Sequence, residues 1–229
     1  MEVHLASLIS GAKTARGTVV IIDVFRAFTT AAVAFSRGAR RIIMVDTLAK
    51  ALSLRSAGLG DYCIGERHGA RPAGFDFGNS PSVLTHANIA GKTLIQTTSN
   101  GTAGIVSARH GERVYAAALV NAEATVQAIL RRAPAIVTLV AIGRGALTRA
   151  DEDEICALYL RSRLQGRKPD ADAVRTLLAT MVPPPDADLI ASGDYDPGDR
   201  EIAAAIDAAP FAIRVRTEGE MLIATPELN

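Results

Sequence analysis

The sequence predicts an α/β fold, a three-layer α/β/α arrangement around a mixed, largely parallel sheet, and three observations predict it. Apolar residues make up 48% of the 229-residue chain, yet aromatics are only 4% and Trp is absent, so the core must be Ala, Val, Ile and Leu. Strand-like runs such as Val19-Val20-Ile21-Ile22 are continuous rather than alternating, the pattern of strands covered on both faces. These runs alternate with small-residue segments of helical length, in the order β-α-β-α-β-loop-β-α-β-α-β-α, before a helical and mixed tail.

Each element has its own warrant. The β-branched run over 17–24 is the first strand. A small-residue helix follows over 26–38, with Gly38 as its stop. A strand over 41–45 leads to a helix over 47–57, capped by Asp46 or Thr47. A short strand over 61–65 precedes a loop over 66–80 rich in Gly, Arg and Pro. Strands are expected over 93–96, 113–117 and 135–142, with helices from the polar turn at 97–102 to about His110, over 122–132 and over 151–165. Further helices are expected over 170–181 and 199–208, then strands over 212–216 and 221–224 around Glu218-Gly219. No repeat or low-complexity linker is visible. The whole chain reads as a single domain over 1–229, with 183–229 as a candidate small subregion beginning at Pro183-Pro184-Pro185.

Composition excludes several classes. The 25 basic and 24 acidic residues give a net charge of +1, which offers nucleic acid or a membrane surface no bulk attraction. The N-terminus has no basic region followed by a sustained apolar one, and no stretch reaches the ~20 apolar residues of a membrane span, so a soluble, cytoplasmic protein is expected. Cys63 and Cys156 match no metal spacing and read as reduced thiols, Cys156 as a core residue. His4, His86 and His110 lack partners at metal spacing and read as surface or packing residues; His68 stands out only through its loop.

In open α/β sheets ligands bind beyond the carboxyl ends of strands, and four polar segments fall there. In the first, Asp23 ends a buried strand and Arg26 stands at a helix start. Asp23 can bind a divalent cation or attack phosphorus, and Arg26 can grip an oxyanion; an Asp–Arg pair with a helix cap is the plain structural alternative. The second is the loop 66–80. It carries Glu66, Arg67, His68, Arg71, Asp76, Asn79, Ser80 and three glycines, more polar function than a surface loop needs. The third, TTSNGT at 97–102, offers hydroxyls, an amide and Gly101 as an anion nest or an ordinary capping cluster; it lacks the GK[ST] of a phosphate-binding loop. The fourth is Gly143-Arg144-Gly145 with Asp151-Glu152-Asp153-Glu154, where helix-start acidity explains most, and one or two carboxylates can turn into a metal site. There is no Ser-His-Asp order, HExxH, or GxGxxG after the first strand.

Together DVFRA at 23–27, GER at 65–67, GFDFGNSP at 74–81, TTSNGT at 97–102 and Glu152-Asp153 resemble the motif series of the 2-phosphosulfolactate phosphatase family, in its order, over about 17 to 160. The resemblance implies a Mg²⁺-dependent hydrolase converting 2-phospho-3-sulfolactate to 3-sulfolactate and phosphate on the route to coenzyme M, and a homo-oligomer, a dimer by expectation. It makes Asp23, Arg26, Glu66 and Asp76 the candidate catalytic residues. Arg67, Asn79, Ser80, Asn100, Gly101 and Thr102 become the candidate substrate-binding residues. Asp23, Glu66, Asp76 and Asp153 become the candidate metal ligands. Phe25 and Phe28 stand where such proteins more often have Leu and a hydroxyl residue, which places an aromatic at the expected mouth of the site. A phosphatase of the same fold acting on another small anionic phosphoester, and a non-catalytic anion-binding protein, are the rival readings.

Overall fold

The computed structural model describes residues 1–145, 147–181, 190 and 194–228; the Pro183-Pro184-Pro185 run lies outside them. The chain runs β1 (Glu2–Ser7), α1 (Leu8–Thr14), β2 (Thr18–Ile22), α2 (Ala27–Ser36), β3 (Arg41–Met44), α3 (Leu48–Ser56), β4 (Tyr62–Gly65) and α4 (Pro81–Thr85). It continues as β5 (Thr93–Thr97), α5 (Gly101–Ser107), β6 (Arg113–Ala117), α6 (Ala122–Leu130), β7 (Ile136–Ala141), α7 (Asp151–Leu164) and α8 (Ala171–Met181). It closes with α9 (Gly198–Ala203), β8 (Phe211–Glu218) and β9 (Met221–Leu228). The fold is α/β, with a mixed, largely parallel nine-stranded sheet of order β1-β7-β2-β6-β8-β9-β3-β5-β4. Every residue of β2 and of β5 is buried, as strands covered on both faces require.

The sheet has two parallel blocks, β1-β7-β2-β6 and β3-β5-β4, joined by the antiparallel hairpin β8–β9. Because β6–β8, β8–β9 and β9–β3 are all antiparallel, the blocks run in opposite directions. In a flat sheet their carboxyl ends would lie at opposite edges. Here they meet: Gln96 at the end of β5 donates from Nε2 to the Ala27 carbonyl just after β2, at 2.9 Å. The sheet is therefore strongly curled, as accumulated strand twist allows. Helix α2 is buried along almost its whole length, and its small residues Ala31, Ala32 and Ala34 let it lie in the interior.

Most expected elements are present within two residues. The structure adds β1, α1 and α4. β1 alternates polar and apolar residues and its ladder runs along β7 alone, so no continuous apolar run marks it. α4 is only five residues, started by the Ser80 hydroxyl accepting the Val83 amide and by Pro81 at its first turn, too short to show a helical period. The helix expected over 199–208 stops at Ala203, because tertiary bonds claim the chain beyond it. The Asp207 amide donates to the Leu119 carbonyl at 3.0 Å and the Ala209 amide to Val120 at 2.7 Å. The tail strands are longer than expected because β8 and β9 pair over their full lengths in the middle of the sheet. Cys63 and Cys156 are buried free thiols, and Cys156 sits in the core. No helix among the described residues is long and apolar enough to cross a membrane.

Candidate active site

The curl of the sheet gathers Glu66, Gly101, Glu152 and Asp153 around Asp23. This carboxylate, 5% exposed, follows β2 and accepts the Ala27 amide on Oδ1 at 2.9 Å. Gly101, at the head of α5, packs directly on it. A Cβ there would stand 2.7 Å from the Ala27 Cβ and 2.8 Å from Asp23 Oδ2, so glycine is required for the two loops to touch. Burial pushes the Asp23 carboxyl up to about 7, the Ala27 amide opposes this, and the neighbouring Glu66 and Glu152 charges push it further.

Glu66 joins the β4 loop to the β5 turn. Its Oε1 accepts the Ser99 amide at 2.6 Å, and its Oε2 accepts the Gly69 amide at 2.9 Å and the Ser99 hydroxyl at 3.1 Å. Gly65 makes this entry feasible: at φ +142° its α-carbon faces the Thr97 carbonyl so closely that any Cβ would collide with it. Arg67 is spent on the same junction, donating to the Glu66 carbonyl at 2.7 Å, the Asp46 carbonyl at 2.8 Å and the Thr97 hydroxyl at 2.7 Å. Thr102 closes the 98–102 turn by accepting the Thr98 amide on Oγ1 at 2.8 Å.

Of the four acids that open α7, Glu152 and Asp153 turn inward and are 2% and 3% exposed, whereas Asp151 faces solvent. Asp153 clamps two strand ends together. It accepts the Val24 amide at 2.8 Å and the Gly143 amide at 3.0 Å, one on each oxygen. Burial, with Asp23 and Glu152 nearby, holds its carboxyl well above the usual carboxylate range. Glu152 accepts Arg144 on Oε1 at 3.1 Å, while its buried Oε2 has no protein partner.

Arg26, whose peptide bond with Phe25 is cis, points into a second junction. Its guanidinium donates to Asp199 at 2.7 Å, to the Asp194 carbonyl at 3.1 Å and to the Gly69 carbonyl at 3.4 Å. Asp199, only 1% exposed, also accepts the Ser80 hydroxyl at 2.7 Å and the Ser82 amide at 3.0 Å. Asp199 was not among the sequence candidates. Its one cue was position, as an acid in the first turn of a tail helix, which dipole and capping preferences explain equally well.

The Asp76 carboxylate accepts the Cys63 amide at 2.8 Å and pairs with Arg55 at 2.9 Å. Phe28 is not at the mouth of a site: it is fully buried in the core, and Phe25 is the half-buried aromatic there, with Arg200 over its ring at 5.7 Å. Arg71 is exposed and its amide donates to Asp194 at 2.9 Å.

The donor chemistry is the test of a metal. Among the described residues no three of His, Cys, Asp and Glu converge as a metal cage. Of the seven buried side-chain oxygens without a hydrogen-bond partner among the described residues, three belong to candidate or neighbouring site residues: Glu152 Oε2, Asn79 Oδ1 and Asn100 Oδ1. All three are acceptors, and leaving each unpaired costs about 1–3 kcal/mol, so they call for a cation or donors. Mg²⁺ is commonly held by one or two carboxylates with water and substrate phosphate completing its shell, and Asp23 with Glu152 fits that description.

Buried carboxylates where two curled parallel blocks meet, bordered by Arg, Asn and Ser, define the centre of an α/β enzyme. The family model described as 2-phosphosulpholactate phosphatase matches residues 3–191, and the chain belongs to that family of phosphoric monoester hydrolases. Relatives named "Probable 2-phosphosulfolactate phosphatase" include that of Thermoplasma volcanium, 33% identical over 67% of this chain and 70% of its own length. That of Thermotoga petrophila is 43% identical over 48% of this chain and 47% of its own. That of Bacillus subtilis is 33% identical over 64% of each. The chain thus spans about half to 70% of these relatives.

Proposed function

We propose that the protein hydrolyses 2-phospho-3-sulfolactate to 3-sulfolactate and phosphate, with Mg²⁺, as a cytoplasmic step on the route to coenzyme M, and that it works as a homo-oligomer. The observation that carries the chemistry is the meeting of Asp23 with Glu66, Glu152 and Gly101, under relatives whose names specify this substrate. A cation bound there supplies a positive centre that polarises the phosphoryl group.

The chain's own residues do the rest. Asp23 and Glu152 are the carboxylates that would hold the cation. Glu66 fixes the Ser99 and Gly69 backbone so that both loops keep their place beside Asp23. Arg26, held by Asp199 and the Gly69 carbonyl, supplies a fixed buried positive charge beside the Glu66 loop, and Asn79 and Asn100 offer side-chain amides with an unused oxygen. Water adds to phosphorus, the ester P–O bond breaks, and the departing alkoxide takes up a proton. Whether Asp23 acts on the phosphoryl group directly or through water is decided by trapping: an acid-stable phosphoryl-enzyme on Asp23 would establish the direct route.

The deciding experiment measures phosphate release from 2-phospho-3-sulfolactate against a panel of phosphomonoesters, with and without Mg²⁺. Preference for the sulfonated substrate, lost in Asp23→Asn, is expected. Near-normal turnover of Asp23→Asn at saturating Mg²⁺ would remove Asp23 from its role, and equal rates across the panel would remove the substrate.

A further inference from the structure

Four arginines with little to neutralise them gather at the end of α5 remote from Asp23. A notch of about 170 Å³ opens where the β6–β8 ladder begins, lined among others by Arg109, Arg113, Arg214, Arg216 and Glu112. The ladder ends at Val114↔Val215, so Arg113 and Arg216 flank its end in one notch, and Arg216 shares a strand face with Arg214. Like charges gathered at one strand end repel, and an anion between them relieves that repulsion.

The partners present do not supply that anion in full. Arg109 and Arg113 make no side-chain hydrogen bond or ion pair among the described residues. Arg216 donates to the Thr225 hydroxyl at 3.2 Å and reaches the Glu227 carboxylate at 3.9 Å. Arg214 is 8% exposed, lies 5.2 Å from the Tyr115 ring centre and donates to the Val114 carbonyl at 2.9 Å, and its Nε has no partner. Burial, with Arg113 and Arg216 adding repulsion and Tyr115 and Glu227 opposing it, lowers the Arg214 pKa. Against these four cations stand Glu112 at the rim and Glu227, which Tyr115, Arg131 and Arg216 already share.

The notch is separate from the Asp23 centre. The Asp23 amide bonds to Ala117, at the far end of β6, roughly 13 Å of strand from Arg113. We propose that the notch is a second anion site, taking an inorganic or small organic phosphate between Arg109, Arg113 and Arg216. The planar guanidinium groups suit tetrahedral oxyanions, and Arg214 beneath them adds a fixed positive charge.

The probe is inorganic phosphate, followed through the backbone amide resonances of Gly111 and Thr217, both in the lining of the notch. Saturable shifts at both are expected in the wild type, and these persist in Asp23→Asn. Arg113→Gln and Arg109→Gln each weaken binding about ten-fold, the loss of one charge-assisted contact. Arg109 is exposed, so its variant keeps the fold even if Arg113→Gln does not. The proposal is overturned if neither resonance shifts saturably across the millimolar range, or if the shifts survive undiminished in Arg109→Gln.

Discussion

Arg26 and Asp199, 173 positions apart, form a buried ion pair of 2.7 Å, and the same carboxylate holds the Ser80 hydroxyl at 2.7 Å. A tail residue therefore positions two residues of the motif series. Removing one partner of a buried pair leaves the other as an uncompensated charge, at a cost of about 3–5 kcal/mol. Asp199→Ala is expected to lose that much in urea unfolding, and Asp199→Asn, which still accepts hydrogen bonds, to lose less. A double-mutant cycle with Arg26→Ala should show coupling of about 1–3 kcal/mol. Additive effects would mean that the pair does not act as a unit.

Asp23 gives stability a pH dependence of known sign. Its folded carboxyl titrates at about 7, above its ordinary value of 3.8, so the folded state binds the proton more tightly. Below about pH 4 both states are protonated and the group contributes nothing. Between about pH 4 and 7 the unfolded state has released this proton while the folded state keeps it, so stability falls across that window and levels off above 7. In metal-free protein, Asp23→Asn should therefore be more stable than wild type above pH 7, by on the order of 2–4 kcal/mol, with the gain vanishing near pH 4. Thermal unfolding across that range in chelator measures it; a gain that grows toward low pH would contradict the sign.

Gly101 tests how closely the two strand-end loops must approach. Gly101→Ala places a methyl 2.7 Å from the Ala27 Cβ and 2.8 Å from Asp23 Oδ2, on a buried carboxylate already held by the Ala27 amide. Overpacking of this kind costs about 1–3 kcal/mol. Phosphate release should fall further than stability does, because the displaced group is the Asp23 carboxylate itself. Turnover within two-fold of wild type, a loss of only ~0.4 kcal/mol in the barrier, would show that the contact is not needed.

Much of this arrangement was legible, and what was not has a physical reason. Strand β6 over Arg113–Ala117 matches the sequence reading, because a buried parallel strand is a continuous apolar run. Asp23 and Glu66 are legible because each carboxylate directly follows such a run, at a strand end where ligands bind. The opposite directions of the two parallel blocks were not legible: they depend on β8 and β9 inserting between β6 and β3, pairings between residues about a hundred to 180 positions apart. Asp199 was missed for the same reason, since nothing near it in the chain shows that Arg26 and Ser80 await it. Asp76 is marked by its distinctive motif, and nothing in the sequence shows that its side chain pairs with Arg55.

Asp76 accordingly makes a discriminating variant. Its pair with Arg55 is partly exposed, at 20% and 37%, and such pairs contribute about 0–1 kcal/mol. Asn at this position can still accept the Cys63 amide. Asp76→Asn is expected to keep phosphate release within a few-fold of wild type and to lose about 1 kcal/mol of stability. A loss of turnover comparable to Asp23→Asn, without a change in unfolding, would return Asp76 to the centre.

The identity of the cation ligands turns on Glu152 against Asp153, adjacent on α7 and both buried. Asp153 spends one oxygen on each of two strand-end amides, so Asp153→Asn sets an NH₂ group against the Val24 or Gly143 N–H and should destabilise the protein whether or not metal is present. Glu152 has a free buried oxygen, and Glu152→Gln removes the charge while leaving the backbone bonds intact. A ligand that binds only the folded state stabilises it by about 2.7 kcal/mol at one hundred times its dissociation constant. Mg²⁺ should therefore raise the melting temperature of the wild type and of Asp153→Asn, but not of Glu152→Gln or Asp23→Asn. The opposite pattern, with the Mg²⁺ response kept in Glu152→Gln and lost in Asp153→Asn, would make Asp153 the ligand and leave the orphaned Glu152 oxygen to be explained by donors instead.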